Sequence, residues 1–172
     1  VTYYAVFSDT SVWDGTYPSV TNGYTFMGKG TQTSPYLIQS AQDLAALSAL
    51  SSGIDYGSGI YYKLTINLDM SKKAFNPISW RGSYTGTQWK YFQGEFDGNN
   101  KSVKLVADIT AIDNGTGYGL FQGLSNATVK NSTIATGSSI KAINRVGVIA
   151  YIGLYTMFAK RRFVSNTIVG SI

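Results

Sequence analysis

Cysteine and histidine are both absent from this 172-residue chain. The absence of cysteine excludes disulfide bonds and thiol nucleophiles, and the absence of both residues excludes zinc sites built from them and Ser-His-Asp triads. Proline is scarce, with three residues, and glutamate occurs once, as Glu95. Because the side chains of the commonest catalytic and metal centres are missing, most common chemistry is excluded, and we expect no metal and no cofactor.

Charge is also scarce, since charged residues make up 13% of the chain against about 25% in typical soluble domains. The formal net charge is +5, but the basic residues are scattered, and their one dense cluster, at 160–162, is shorter than a nucleic-acid-binding patch. The uncharged, largely apolar run at 146–159 falls short of the roughly 20 residues that cross a bilayer. The sequence therefore predicts neither nucleic-acid binding nor membrane insertion.

The sequence does contain clear secondary-structure patterns. Ser40 followed by Asp43 resembles a capping box, alanines and leucines follow it, and Ser51-Ser52-Gly53 is typical of a helix end, so a helix is predicted over 41–50. Apolar and polar residues then alternate with period two over 62–69 and 102–109, which predicts strands. Strands are expected to dominate the chain after the helix.

Several segments of the chain resemble one another. Phe92-Gln93-Gly94 recurs 29 residues later at 121–123, residues 118–121 resemble 146–149, and residues 129–134 resemble 164–168. Repeats of this length indicate stacked units that bury their apolar faces against their neighbours. We therefore expect residues 92–172 to form successive parallel turns, with Phe92, Phe121 and Ile149 in a common interior.

The order of these segments resembles a known family. Residues 30–172, with TSPYLIQSAQDLAALSAL, YYKLTINLDMS, FQGEFDGNNKSVKLV and YGLFQGLSNATVKNSTI, resemble the GLUG-type repeat domains of large bacterial surface and adhesin-like proteins. The resemblance implies an all-β fold, a right-handed parallel β-helix (solenoid) with one capping α-helix, and an extracellular location. Residues 1–8 resemble the end of an internalin-type B repeat. Residues 1–20 are thus expected to be the remnant of a preceding repeat module with its linker, and 21–172 the repeat domain.

An aromatic segment supplies the candidate binding residues. They are Trp80, Arg81, Tyr84, Trp89 and Tyr91. Aromatic and arginine side chains form rigid platforms for sugars or protein partners. The alternative is a flap whose aromatic side chains pack against the rest of the domain.

Glu95 and Asp97 form the nearest carboxylate pair, and paired carboxylates on a sheet face can act as general acid and base. Asp97 precedes Gly98-Asn99, however, and aspartate in this position commonly fixes a turn through its own side chain. Calcium would need six or more oxygen ligands, and no dense aspartate ladder accompanies the pair. The pattern favours a structural role.

These observations predict a non-enzymatic extracellular module, a stalk or ligand-presenting domain, of a secreted or surface-attached bacterial adhesin-like protein. Its expected partner is an extracellular glycan or a protein of a host or bacterial surface. The alternative is a carbohydrate-binding or polysaccharide-degrading β-helix domain, which would need convergent carboxylates to cleave its substrate.

Overall fold

The computed structural model describes residues 9–80, 90–108, 118–141, 147, 149–150, 161–164 and 167–168. One helix and ten strands lie within these ranges: β1 (Tyr36–Ile38), α1 (Ala41–Leu50), β2 (Tyr61–Leu64), β3 (Leu68–Met70), β4 (Glu95–Asp97), β5 (Ser102–Asp108), β6 (Ala127–Lys130), β7 (Thr133–Ile134), β8 (Ser139–Lys141), β9 (Arg161–Val164) and β10 (Thr167–Ile168).

The strands form two sheets in which every strand pair is parallel. The first sheet has the order β1-β2-β4-β6-β9, and the second has the order β10-β7-β5-β3, with β8 paired to β5. From β2 to β7 the strands alternate between the two sheets along the chain. Each time the chain returns to the first sheet, it therefore adds a strand beside the strand that it contributed there before.

The predicted fold class, an all-β right-handed parallel β-helix with one capping α-helix, is wrong. The structure has two small parallel sheets of short strands with one helix, which is a mixed α/β arrangement. Most strands have only two to four residues, and the helix is an integral part of the core. Resemblance between segments predicts parallel pairing, but it does not specify how the irregular chain between them is arranged.

The helix begins and ends where the sequence predicted. The Ser40 side chain accepts a hydrogen bond of 3.1 Å from the Asp43 backbone N–H, which satisfies one of the free donors of the first turn. Asp43 in turn accepts from the Gln39 N–H at 2.8 Å. Leu44 and Leu47 are fully buried in the core cluster that also contains the inward-facing strand residues, so the helix is held mainly by packing.

The core lies between the two sheets and is rich in aromatic rings. Phe121 is central to it, because its ring lies 5.2 Å from that of Phe92 and 5.4 Å from that of Phe96. Phe92, Phe121 and Ile149, which were expected to share an interior, are all buried in this one cluster. Rings at these separations attract each other beyond their burial of apolar area.

The segment before residue 20 packs on the same core. Val12 forms a parallel bridge with Asp69, beside the edge strand β3 of the second sheet. Trp13 is fully buried and packs edge-on against Phe75 at 5.5 Å. The origin of residues 1–20 in a preceding repeat stays a prediction, and residues 1–8 lie outside the described ranges.

Within the described ranges, no helix combines the length and the apolar character that crossing a bilayer requires.

Candidate functional site

A polar groove lies on the outer face of the first sheet. Its volume is about 250 Å³, slightly below the roughly 300–1,000 Å³ of sites for drug-sized ligands. Its lining comes from β2, β4, β6 and the loop before β1: Gln32, Thr33, Pro35, Tyr61, Tyr62, Lys63, Glu95, Asp97 and Lys130. The groove is therefore of the right size for one small ring or one unit of a longer chain.

The alternation of side chains along each strand places the polar groups outward. In β2, Tyr62 and Leu64 are buried, whereas Tyr61 and Lys63 are half-buried on the opposite face. The same alternation in β4 buries Phe96 between two outward carboxylates. Burial also raises the pKa of the Tyr62 hydroxyl well above its ordinary value, so this residue belongs to the core although it borders the groove.

The register of the parallel strands aligns the outward side chains in two columns. Tyr61 pairs with Glu95, and Glu95 pairs with Thr128. Two positions further along each strand, Lys63 pairs with Asp97, which pairs with Lys130. Neighbouring strands lie about 4.8 Å apart, so the second column brings a cation, an anion and a cation close together.

The loop of residues 29–35 forms one wall of the groove. The Lys29 N–H donates to the Ser34 carbonyl at 3.0 Å, which closes the loop on itself. The Tyr61 N–H donates to the Gly30 carbonyl at 3.0 Å, which ties the loop to β2. The wall is thereby attached to the strand that supplies the tyrosine and lysine of the groove.

Lys130 forms ion pairs with both carboxylates of the groove. Its Nζ lies 2.5 Å from Glu95 Oε1 and 4.0 Å from Asp97 Oδ2. The three side chains are partly shielded from solvent, with exposures between 23% and 32%, so their attraction is stronger than that of a fully exposed pair. Since the ammonium group occupies the space between the carboxylates, the pair does not present an open cation site.

The predicted turn role of Asp97 is confirmed. Its Oδ1 accepts hydrogen bonds from the Asn99 backbone N–H at 2.8 Å and from Asn131 Nδ2 at 3.0 Å. Asn99 has a positive φ of 50°, a conformation that asparagine tolerates better than most residues. Among the described residues there is also no group of three or more His, Cys, Asp or Glu side chains that could hold a metal ion.

Lys63 differs from Lys130 in its surroundings. Within the described part of the chain, no carboxylate lies within 4.0 Å of its Nζ. Its neighbour in the register, Asp97, is instead engaged by Asn99, Asn131 and the ammonium of Lys130. The Lys63 ammonium therefore makes no ion pair with a carboxylate in this part of the chain.

The predicted aromatic platform is described only in part. Trp80 is buried, with 8% of its surface exposed, and packs edge-on against Tyr118 with ring centroids 6.2 Å apart. Tyr91 is half-buried. Arg81, Tyr84 and Trp89 lie outside the described ranges. Binding by this segment stays a prediction, but the Trp80 ring itself is covered by protein.

Serine side chains at the end of the helix hold the chain leading into Trp80. The Ser48 Oγ donates to the carbonyls of Asn76 at 2.9 Å and Pro77 at 3.2 Å. The Ser51 Oγ donates to the Leu47 carbonyl and accepts from the backbone N–H of Ser79 at 2.8 Å. These bonds dock residues 76–80 against the last turn of α1.

Replacing Ser51 by alanine is expected to lower the free energy of unfolding by about 1–3 kcal/mol, because the Ser79 N–H would lose its partner inside the protein. The measurement is urea unfolding with linear extrapolation. Ser52→Ala is the matched control, since the Trp80 carbonyl that accepts from Ser52 also accepts from the Gly53 N–H. Equal losses for the two variants would contradict the importance assigned to the Ser51–Ser79 bond.

Sequence reasoning missed most of the groove. Glu95 and Asp97 were identified as a pair, but Tyr61, Lys63 and Lys130 were not associated with them. The period-two alternation does show that Tyr61 and Lys63 share a face. The alternation does not show that β2 pairs with β4 and β4 with β6. This pairing is what brings the groove residues together.

Comparison of the chain with protein-family models, with curated proteins and with solved structures found no match. The resemblance to GLUG-type repeat domains accordingly stays a prediction from the quoted segments.

Proposed function

We propose that this chain is a non-enzymatic, ligand-presenting module of a secreted or surface-attached bacterial protein, and that its groove on the first sheet binds carbohydrate. The observation that supports this most directly is the groove, which is a small, polar cavity on a sheet face, lined by hydrogen-bond donors, acceptors and two tyrosines. The bacterial and extracellular context comes from the sequence resemblance.

The chemistry of the lining suits a ligand with many hydroxyl groups. A sugar hydroxyl both donates and accepts hydrogen bonds, so its site needs partners of both kinds. Lysine ammonium groups supply donors, carboxylates supply acceptors, and Gln32 and Thr33 supply both. Tyr61 adds a half-buried ring beside these groups, and a tyrosine offers an apolar face together with a polar hydroxyl.

The carboxylates are better arranged for binding than for catalysis. One oxygen of Asp97 is already used by the Asn99 turn and by Asn131, and Glu95 is joined to Lys130. A general acid or base must instead reach the proton that it transfers. These engagements support a binding role for the pair over cleavage of a polysaccharide.

Tyr61→Ala is the variant that tests carbohydrate binding in the groove. A glycan array identifies a ligand of the wild-type chain, and calorimetric titration then compares the two proteins. We expect the variant to bind about tenfold more weakly, because an aromatic side chain in the centre of a binding site contributes more than 1 kcal/mol. Circular dichroism checks that the variant is folded.

The matched control is Lys104→Met, which alters an exposed pair on the outer face of the second sheet, where Lys104 Nζ lies 3.6 Å from Asp69 Oδ2. This variant is expected to bind like the wild type. Unchanged binding by Tyr61→Ala would place the ligand elsewhere and refute the proposal for this groove. Release of reducing ends from a bound polysaccharide would refute the non-enzymatic part.

A further inference from the structure

We infer that the groove selects an acidic carbohydrate, one carrying a uronate-type carboxylate on a ring with free hydroxyls, and that Lys63 receives this carboxylate. The inference rests on the proposed function of the same groove and adds the class of sugar and the residue that recognises its charge. The observation behind it is the difference between the two lysines of the groove.

The two lysines of the groove differ in their ion pairs. The ammonium of Lys130 lies against both Glu95 and Asp97. Lys63 has no carboxylate of the described residues within 4.0 Å, although its strand position is paired with that of Asp97. Lys63 is therefore the lysine of the groove whose ammonium is not held in an ion pair by the described residues.

Lys63 lies in a partly enclosed position. It is half-buried on the outer face of β2, two residues from Tyr61, and both line the cavity with the loop wall of Gln32, Thr33 and Pro35. A carboxylate bound there would form a charge-assisted hydrogen bond, which is roughly twice as strong as a neutral one. It would also be partly removed from solvent, where screening by salt is weaker.

The carboxylates near Lys63 restrict the kind of anion that fits. Asp97 lies next to Lys63 in the register, on the adjacent strand about 4.8 Å away. A ligand with closely spaced negative charges, such as a nucleic-acid backbone or an acidic peptide, would place a second charge against Asp97 or Glu95. A sugar acid carries one carboxylate, and its neighbouring groups are hydroxyls that can donate to those carboxylates.

The experiment compares three monosaccharides of matched size by calorimetric titration: galacturonate, its methyl ester and galactose. We expect the wild-type chain to bind the free acid at least tenfold more tightly than the ester at low ionic strength, and this preference to shrink as salt is added. Lys63→Met is expected to lower the affinity for the free acid to about that for the ester, which removes the preference. Lys104→Met, on the second sheet, is expected to retain the preference.

The outcomes separate the inference from the proposed function. Equal affinity of the wild type for acid and ester would overturn the inference and leave carbohydrate binding standing. A preference that survives in a folded Lys63→Met protein would overturn the assignment to Lys63. Binding of a short polyglutamate peptide as tightly as the free acid would overturn the choice of carbohydrate. Failure to bind any carbohydrate on array or in titration would overturn the proposed function, and the inference with it.

Discussion

Replacing Phe121 by alanine is expected to lower the free energy of unfolding by about 3–5 kcal/mol, the range for removing a buried phenylalanine ring. Phe121 is fully buried, and its ring contacts the rings of Phe92 and Phe96. The Phe121 N–H also donates to the Ile149 carbonyl at 2.9 Å, so the backbone around the cavity is tied to the next segment and cannot easily collapse into it. Urea unfolding measures the loss.

Met27→Ala is the control for this prediction, because the Met27 side chain is 66% exposed, and substitutions at such positions usually change stability by less than about 0.5 kcal/mol. A double-mutant cycle with Phe92→Ala then isolates the contact between the two rings. We expect a coupling of about 0.5–1.5 kcal/mol. A loss below about 1 kcal/mol for Phe121→Ala would mean that this ring is not central to the core.

The helix could be predicted from the sequence because its signals are local. A capping serine, an acidic residue three positions later and a run of alanines and leucines all lie within about a dozen residues, and all favour the same structure. The structure places Ser40 and Asp43 in the predicted hydrogen bond. Local agreement of this kind does not depend on the rest of the fold.

The fold class could not be predicted in the same way, because it depends on contacts between distant segments. The repeat of Phe92-Gln93-Gly94 at 121–123 suggests that these two segments lie side by side. Their ring centroids lie 5.2 Å apart, but Phe92 forms bridges with Tyr56 and Leu124, whereas Phe121 forms bridges with Ile78 and Ala150. Similar sequences thus occupy different places in the pairing scheme, and their likeness reflects a shared need for a buried aromatic residue.

The groove had a partial signature in the sequence. Lys63 was expected on the polar face of its strand, and Glu95 and Asp97 were recognised as neighbours on another. A shift of one residue in the pairing of β2 with β4 would place Lys63 beside Phe96, and the polar groove residues would no longer lie next to one another. Register is set here by the apolar faces and by the turns, and the turn at 97–100 carries the groove residue Asp97.

Replacing Gly98 in this turn by alanine is expected to be the most damaging change near the groove. A Cβ at Gly98 would lie 2.5 Å from the Ser132 Cα and 2.6 Å from the Asn131 carbonyl oxygen. Both are backbone atoms, so the turn at 97–100 and the turn at 131–132 would have to move apart. Their separation would strain the bonds from the Gly98 N–H to the Lys130 carbonyl and from the Asn100 N–H to the Asn131 carbonyl, at 2.8 and 2.9 Å. We expect a loss of about 3 kcal/mol in the free energy of unfolding, at the upper end for overpacking.

Gly59→Ala separates this close approach from the general effect of adding a side chain to glycine. Gly59 has a φ of +73°, and a Cβ added there would meet no atom within 4 Å beyond its chain neighbours. Its substitution therefore tests backbone strain alone and is expected to cost about 1 kcal/mol. Separation of the turns would also move Asp97 away from Asn131 and Lys130, so only Gly98→Ala should weaken binding in the groove. Equal losses of stability and equal carbohydrate binding by the two variants would contradict the proposal that the close approach of Gly98 to residues 131–132 positions Asp97.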